Sequence, residues 1–114
     1  MGDALAEKVA VVTGGASGIG YAVAQVFRRE GAEVVIADVE HGALDSAAEE
    51  LGATGVVTDV SSAFAVRRLA DEVIRLHGRV DVVVNNAGVA RIAPFEELSE
   101  EDFAWVLDVN LWRE

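Results

Sequence analysis

The apolar run Val9-Ala10-Val11-Val12 passes directly into Thr13-Gly14-Gly15-Ala16-Ser17-Gly18-Ile19-Gly20, and a helix-patterned stretch follows at once. Glycines at this spacing suit one task, bringing main-chain N–H groups up to an anion. Gly14 allows a tight turn out of a strand, Gly18 lets the backbone approach a diphosphate without a Cβ in the way, and Gly20 permits close packing of helix on strand. Amide N–H groups and the positive end of the helix dipole would hold the diphosphate, with no basic side chain required. A strand before the loop and a helix after it turn a weak glycine signal into a candidate dinucleotide site. Asp38 closes the next apolar run, eighteen residues beyond Gly20. A carboxylate there accepts hydrogen bonds from an adenosine ribose and repels a 2′-phosphate. The alternative is a solvated acid at a strand end.

Positioning these residues takes a regular scaffold, and its signature runs along the chain. Four short runs rich in β-branched residues are Val9-Ala10-Val11-Val12, Val34-Val35-Ile36-Ala37, Gly55-Val56-Val57-Thr58 and Val80-Asp81-Val82-Val83-Val84. They are mostly continuous rather than alternating, which suits strands buried on both faces of a parallel sheet. Between them, apolar residues recur at helical spacing: Ile19, Ala22, Val23, Val26 and Phe27; Leu44, Ala47, Ala48 and Leu51; Val66, Leu69, Ala70, Val73 and Leu76. Gly31, Gly52 and Gly78 follow these helices where a left-handed C-terminal cap would need them. Repeated βα units predict a doubly wound, Rossmann-like α/β sheet of parallel strands in the order 3-2-1-4, occupying residues 1–114 as one domain.

A fourth helix is expected after Ser99, with Asp102 as its capping partner and Glu100 and Glu101 in its first turn. It runs through Phe103 to Trp112 and meets no Gly or Pro before Glu114. Phe103, Val106, Leu107 and Leu111 form one apolar stripe, and Trp105, Val109 and Trp112 form a second. A helix apolar on most of its circumference is normally buried from two sides. The second side calls for further core or a subunit contact, with a lipid or ligand groove as a minor alternative. Asn110 adjoins these stripes, and a buried amide needs partners.

Composition narrows the function classes. The 114 residues include one Lys, eight Arg and twenty acids, for a net charge of −11, so a nucleic-acid surface is disfavoured. The pairs Arg28-Arg29 and Arg67-Arg68 read as solvated helix faces. With no Cys there is no disulfide framework or thiol nucleophile, and no apolar run is long enough to span a membrane. His41 and His77 have no partner pattern for a metal, so no metal site is expected. A soluble, cytoplasmic protein is the expectation.

The spacing G-x-x-x-G-x-G from Gly14 to Gly20 resembles the cofactor signature of the short-chain dehydrogenase/reductase family. Three further elements fit in order: Asp59-Val60 after the third strand, Asn85-Asn86-Ala87-Gly88 after the fourth, and Asp108-Val109-Asn110-Leu111 on the last helix. The resemblance spans Lys8 to about Trp112. It implies an oxidoreductase that moves a hydride between a nicotinamide and a secondary alcohol or ketone. It also implies cofactor contacts from Gly14, Ser17, Gly18, Ile19, Gly20, Asp38, Asp59, Val60, Asn86, Ala87 and Gly88, with Asn85 tying the sheet together. Asp59 and Val60 would meet the adenine; a helix-capping role for Asp59 ahead of Ser61 and Ser62 is the alternative and is compatible with binding. Asn110 would be the one catalytic residue, holding a water and orienting the family's Lys, unless it is simply bonded to neighbouring backbone. Ser17 stands where relatives that prefer NADP often carry a basic residue, so together with Asp38 it favours NAD.

The family's proton-transfer group is a Tyr, assisted by a Lys four residues later and a Ser. A phenol titrating near 10 needs such a cation to reach working pH. The only Tyr here is Tyr21, followed four residues on by Gln25, and the only Lys is Lys8, so neither carries over. In the family those residues follow the point where this sequence stops, and Trp112-Arg113-Glu114 departs from the small residue common there. The expectation is the cofactor-binding half of such an enzyme, incomplete at its C-terminus and inactive alone. The partners expected are the dinucleotide, a small alcohol or ketone in the full-length form, and a second copy through the last helix or the exposed edge of the fourth strand, with neither nucleic acid nor membrane. A non-catalytic NAD-binding or self-associating module is the alternative.

Overall fold

The computed structural model describes residues 4–86 and the backbone of Ile92–Pro94. Strands β1 (Val9–Thr13), β2 (Glu33–Asp38), β3 (Thr54–Val57) and β4 (Val82–Val84) alternate with helices α1 (Gly18–Arg29), α2 (His41–Leu51) and α3 (Ala63–His77). The four strands are parallel and lie in the expected order β3-β2-β1-β4.

Side chains alternate across a strand, so each strand feeds two layers. Val9, Val11, Val35, Ala37 and Val83 face α3, where Val66, Leu69, Ala70 and Val73 are buried against them. Ala10, Val12, Val34, Ile36 and Val84 face α1 and α2, meeting Ala24, Leu44 and Ala47. Both faces of β1 are therefore covered, and all five of its residues are buried. The expected continuous pattern fails at β3, whose residues alternate between half-buried and exposed. This strand lies at the edge of the sheet: Val57 is exposed, and Gly55 faces α2, where a Cβ would lie 3.0 Å from the Leu44 side chain.

The glycines after the helices behave as their positions require. Gly52 and Gly78 adopt left-handed caps with φ of 66° and 76°, and Gly31 also has positive φ, at 98°. Ser62 caps α3 by accepting the Ala65 N–H at 3.1 Å.

Three further expectations need correction. The buried stripe of α1 is Gly20, Val23, Ala24 and Phe27, whereas Ile19 (71 % exposed), Ala22 and Val26 (42 % exposed) face outward. Val23 and Phe27 of the expected stripe do pack on the core, and Gly20 and Ala24 complete it because their small side chains allow α1 to sit close to the sheet and the glycine loop. Leu76 at the end of α3 is likewise exposed, and Ile74 packs on the core in its place. Finally, the edge of β4 is not free. A fifth strand, β5 (Ile92–Pro94), pairs antiparallel with it in the register Val82↔Pro94 and Val84↔Ile92. Residues 85–91 are too few for a helical crossover, so the chain returns antiparallel. Pro94, with no N–H to donate, is tolerated at a sheet edge. The fourth helix expected after Ser99 lies outside the described residues.

Candidate functional site

Strand β1 is the point where the strand order reverses: β2 and β3 lie to one side, β4 and β5 to the other. Crevices at the C-terminal ends of strands at such a point are where open α/β sheets bind ligands. The glycine loop leaves β1 there, and Asn85-Asn86 leaves β4 beside it.

Each loop glycine has its own physical reason. Gly14 turns the chain with φ of 65°, and a Cβ on it would lie 3.1 Å from Asn86 Nδ2. Gly20 packs on the loop itself: an added Cβ would come within 2.0 Å of the Gly14 carbonyl oxygen and 3.0 Å of Asn86 Nδ2. The close packing expected at Gly20 is thus against Gly14 and Asn86. Gly15, which the spacing does not single out, would drive a Cβ to 2.7 Å from the Ile36 side chain. Gly18 differs from all three. Its φ is 61°, yet a Cβ would meet nothing within 4 Å. It borders open space that a diphosphate can enter. Ser17 sits at the N-cap of α1 with extended backbone but makes no side-chain cap. Ile19, next in line, presents its side chain to the same solvent-facing side.

The loop is tied to both neighbouring strands. On the β4 side, the buried Thr13 hydroxyl points at Asn85 Oδ1 (3.2 Å) and the Val84 carbonyl (3.4 Å), while it accepts the Asn86 N–H at 3.1 Å. Asn85 is buried, in keeping with a sheet-tying role, and the half-buried Asn86 rests its amide on Gly14 and Gly20. Thr13 is a positioning residue that spacing alone does not mark, although a hydroxyl at a strand end beside a glycine is a readable signal. On the β2 side, the Ala37 carbonyl accepts the N–H groups of Gly14 (2.7 Å) and Gly15 (3.3 Å). Asp38 accepts the Ala16 N–H through Oδ2 at 3.1 Å and the Val39 N–H through Oδ1 at 2.8 Å. Asp38 is therefore not a merely solvated strand-end acid; its carboxylate is oriented against the loop.

Asp59 and Val60 follow the end of β3, where the Thr58 N–H donates to the Asp38 carbonyl at 2.9 Å. Asp59 accepts the Ser61 N–H (2.9 Å) and hydroxyl (2.6 Å), and those two bonds hold its carboxyl below the usual range. It shapes the turn into α3, but the helix cap is Ser62. Val60 is half-buried against the α3 side of the core. The structure thus gathers Gly14, Ser17, Gly18, Ile19, Gly20, Asp38 and Asn86 around one loop, with Asp59 and Val60 at the adjoining strand end. Ala87, Gly88 and Asn110 lie outside the described residues.

Tyr21 is placed away from any proton-transfer task. Its hydroxyl bonds Glu50 Oε1 at 3.0 Å, and that bond, with partial burial and the carboxylate's charge, raises the phenol pKa. An acid/base tyrosine needs the opposite shift.

A family model described as short chain dehydrogenase matches residues 8–112. The chain belongs to the short chain dehydrogenase family. This is a family of oxidoreductases that use NAD(P). Among curated proteins it is similar to D-threitol dehydrogenase of Mycolicibacterium smegmatis, 43 % identical over 109 residues, covering 91 % of this chain and 42 % of that protein. Among solved structures it resembles the apo form of LigD from Sphingobium sp. strain SYK-6, with TM-score 0.72 and 39 % identity over 93 % of this chain and 48 % of that one. It also resembles RhlG of Pseudomonas aeruginosa in an active-site complex with NADP, with TM-score 0.71 and 37 % identity over 76 % of this chain and 37 % of that one. The chain spans less than half the length of each of these three proteins. Among the described residues, no helix is long and apolar enough to cross a membrane.

Proposed function

We propose that this chain binds the adenosine diphosphate portion of NAD for a dehydrogenase acting on a secondary alcohol or ketone. The observation that carries the reading is the glycine loop at the end of β1, where Gly18 has positive φ and open space on its Cβ side. The diphosphate would lie along Gly18 and the first amides of α1, and Asp38 would take the ribose hydroxyls. Asp59 and Val60 would meet the adenine, Asn86, Ala87 and Gly88 would contact the cofactor, and Asn110 would hold a water and orient the family's Lys. The cofactor, when bound, supplies the hydride acceptor. This chain's own residues bind and orient it.

Preference for NAD over NADP rests on charge. A 2′-phosphate beside Asp38 would place two anions together, with no basic residue at Ser17 to offset them. RhlG, which this chain resembles, is bound to NADP, so the direct comparison of the two dinucleotides decides the preference. With one Tyr, bonded to Glu50, and one Lys, these 114 residues supply no Tyr-x-x-x-Lys pair, so turnover needs residues beyond them.

Calorimetry with NAD and NADP, and NADH production over a panel of alcohols, test the reading together. Expected are binding of NAD at least tenfold tighter than NADP, abolition by Gly18→Val, and no turnover by the purified chain. Unchanged affinity in Gly18→Val removes the assigned site, and robust turnover removes the division of labour.

A further inference from the structure

Three successive loop amides are held by the end of one strand. The Ala37 carbonyl accepts those of Gly14 and Gly15, and the Asp38 carboxylate accepts that of Ala16. The other carboxylate oxygen is fixed by the Val39 N–H at 2.8 Å, with the Glu40 N–H at 3.3 Å. The Asp38 carbonyl is anchored in turn by the Thr58 N–H at 2.9 Å. Main-chain pairing to β2 thus ends at Gly15, and the next tie is a side chain. Beyond it the loop reaches Ser17 and Gly18, where the backbone faces open space.

We infer that Asp38 is a positioning residue for the glycine loop as well as a ribose acceptor, and that it sets the diphosphate cradle through the Ala16 N–H. This rests on the dinucleotide reading above for its ligand arm alone. A carboxylate clamped by main-chain donors on both oxygens is pre-oriented, and a hydrogen bond to a charged acceptor is stronger than a neutral one. Removing the carboxylate frees Ala16 from β2, and the loop between Gly15 and Gly18 loses its last tie to that strand. A cradle that must be ordered at the moment of binding binds more weakly. Truncating Asp38 to Ala to admit a 2′-phosphate would therefore cost both nicotinamide dinucleotides the order of the cradle, so that NADP gains less than the relief of charge repulsion alone would give.

The test separates ribose contact from loop positioning with an NAD analogue whose adenosine ribose lacks both the 2′- and 3′-hydroxyls. Its affinity is measured for the wild-type chain, Asp38→Ala and Asp38→Asn, the last keeping one acceptor oxygen. Asp38→Ala is expected to weaken the dideoxy analogue about three- to tenfold, and Asp38→Asn to recover most of that loss. Equal affinity of wild type and Asp38→Ala for the analogue overturns the inference. Amide hydrogen exchange supplies the ligand-free arm. In wild type the Ala16 N–H should exchange more slowly than those of Ser17 and Gly18, and in Asp38→Ala it should lose that protection while Val11 and Ile36 keep theirs. An unprotected Ala16 in wild type overturns the inference even if Asp38→Ala does not fold. If wild type binds no NAD at all, the dinucleotide reading fails, while Ala16 exchange still decides the positioning claim.

Discussion

At the scale of single residues, Gly18 and Gly20 share a residue type and a motif but answer to different constraints. Gly20 is required by packing, because its Cβ would overlap the Gly14 carbonyl at 2.0 Å. Gly18 is required by backbone conformation and by what must approach it, because its Cβ meets nothing. Alanine at the two positions should therefore separate stability from binding. Gly20→Ala forces backbone to move and is expected to cost about 3 kcal/mol, by analogy with overpacked cores. Gly18→Ala pays only for a left-handed non-glycine residue, about 1 kcal/mol. Urea denaturation should rank them in that order, and calorimetry should find NAD affinity reduced in both. A Gly18→Ala chain as unstable as Gly20→Ala would mean that Gly18 is packed after all.

At the scale of elements, the connection between α1 and α2 runs through a residue that the sequence reading leaves in solvent. Arg28 Nε donates to the Leu51 carbonyl (3.1 Å) and the Gly52 carbonyl (3.2 Å), and Nη1 donates to the Ala32 carbonyl at 3.2 Å. A guanidinium at the negative end of α2 satisfies carbonyls that the helix cannot. Arg28→Ala should cost about 1–2 kcal/mol in urea denaturation. Arg29 is exposed, and Arg29→Ala should fall within about 0.5 kcal/mol of wild type. Equal effects would return both arginines to the solvated-face reading. The same scale explains the outward stripe of α1. Periodicity identifies a helix but not which of two stripes faces the sheet, and Gly20 and Ala24 carry almost no hydrophobic signal. Their advantage is distance: small side chains bring the helix axis close enough for the glycine loop to fold under it.

At the scale of the whole molecule, the two ends of the sheet carry different chemistry. The C-terminal ends of the strands carry the glycine loop, Asp38 and Asn86. At the other end, buried Asp81 accepts the Val9 N–H at 2.8 Å and pairs with Arg79 at 2.5 Å, and its own N–H donates to the Val9 carbonyl at 2.9 Å. Burial raises the Asp81 pKa, but the bonds from Arg79 and Val9, with the charges of Arg79 and Lys8, outweigh it and leave the group below its ordinary 3.8. A carboxyl depressed by folding contributes stability that is fully present above its unfolded pKa and is lost as pH falls through the folded one. Thermal midpoints should accordingly drop as the solution is acidified below about pH 4. Asp81→Asn should flatten that decline while lowering stability at neutral pH by about 1 kcal/mol. An acid limb of unchanged slope in Asp81→Asn would show that other carboxylates govern it.

Read along the chain, the parallel strands, the three helices and their glycine caps follow from local pattern, because β-branched runs and 3.6-residue spacing are properties of neighbours in sequence. So does the glycine loop, since a strand, a turn and a helix are contiguous. Its family follows too, since four motifs in order suffice. Contacts between distant segments were another matter. The Thr13 hydroxyl reaches Asn85 and Asn86 more than seventy residues away, and Asp38 reaches back to Ala16 across α1 and β2. Arg28 finds the end of α2, and the chain folds back to cover β4 with β5. None of these has a periodicity to announce it. Each depends on which side chain the sheet brings within about 3 Å of which amide or carbonyl. The amino-acid pattern by itself therefore determined a dinucleotide-type loop on a parallel α/β sheet, and tertiary structure alone decided how that loop is held in shape, because hydrogen bonds across the sheet are set by register and not by spacing along the chain.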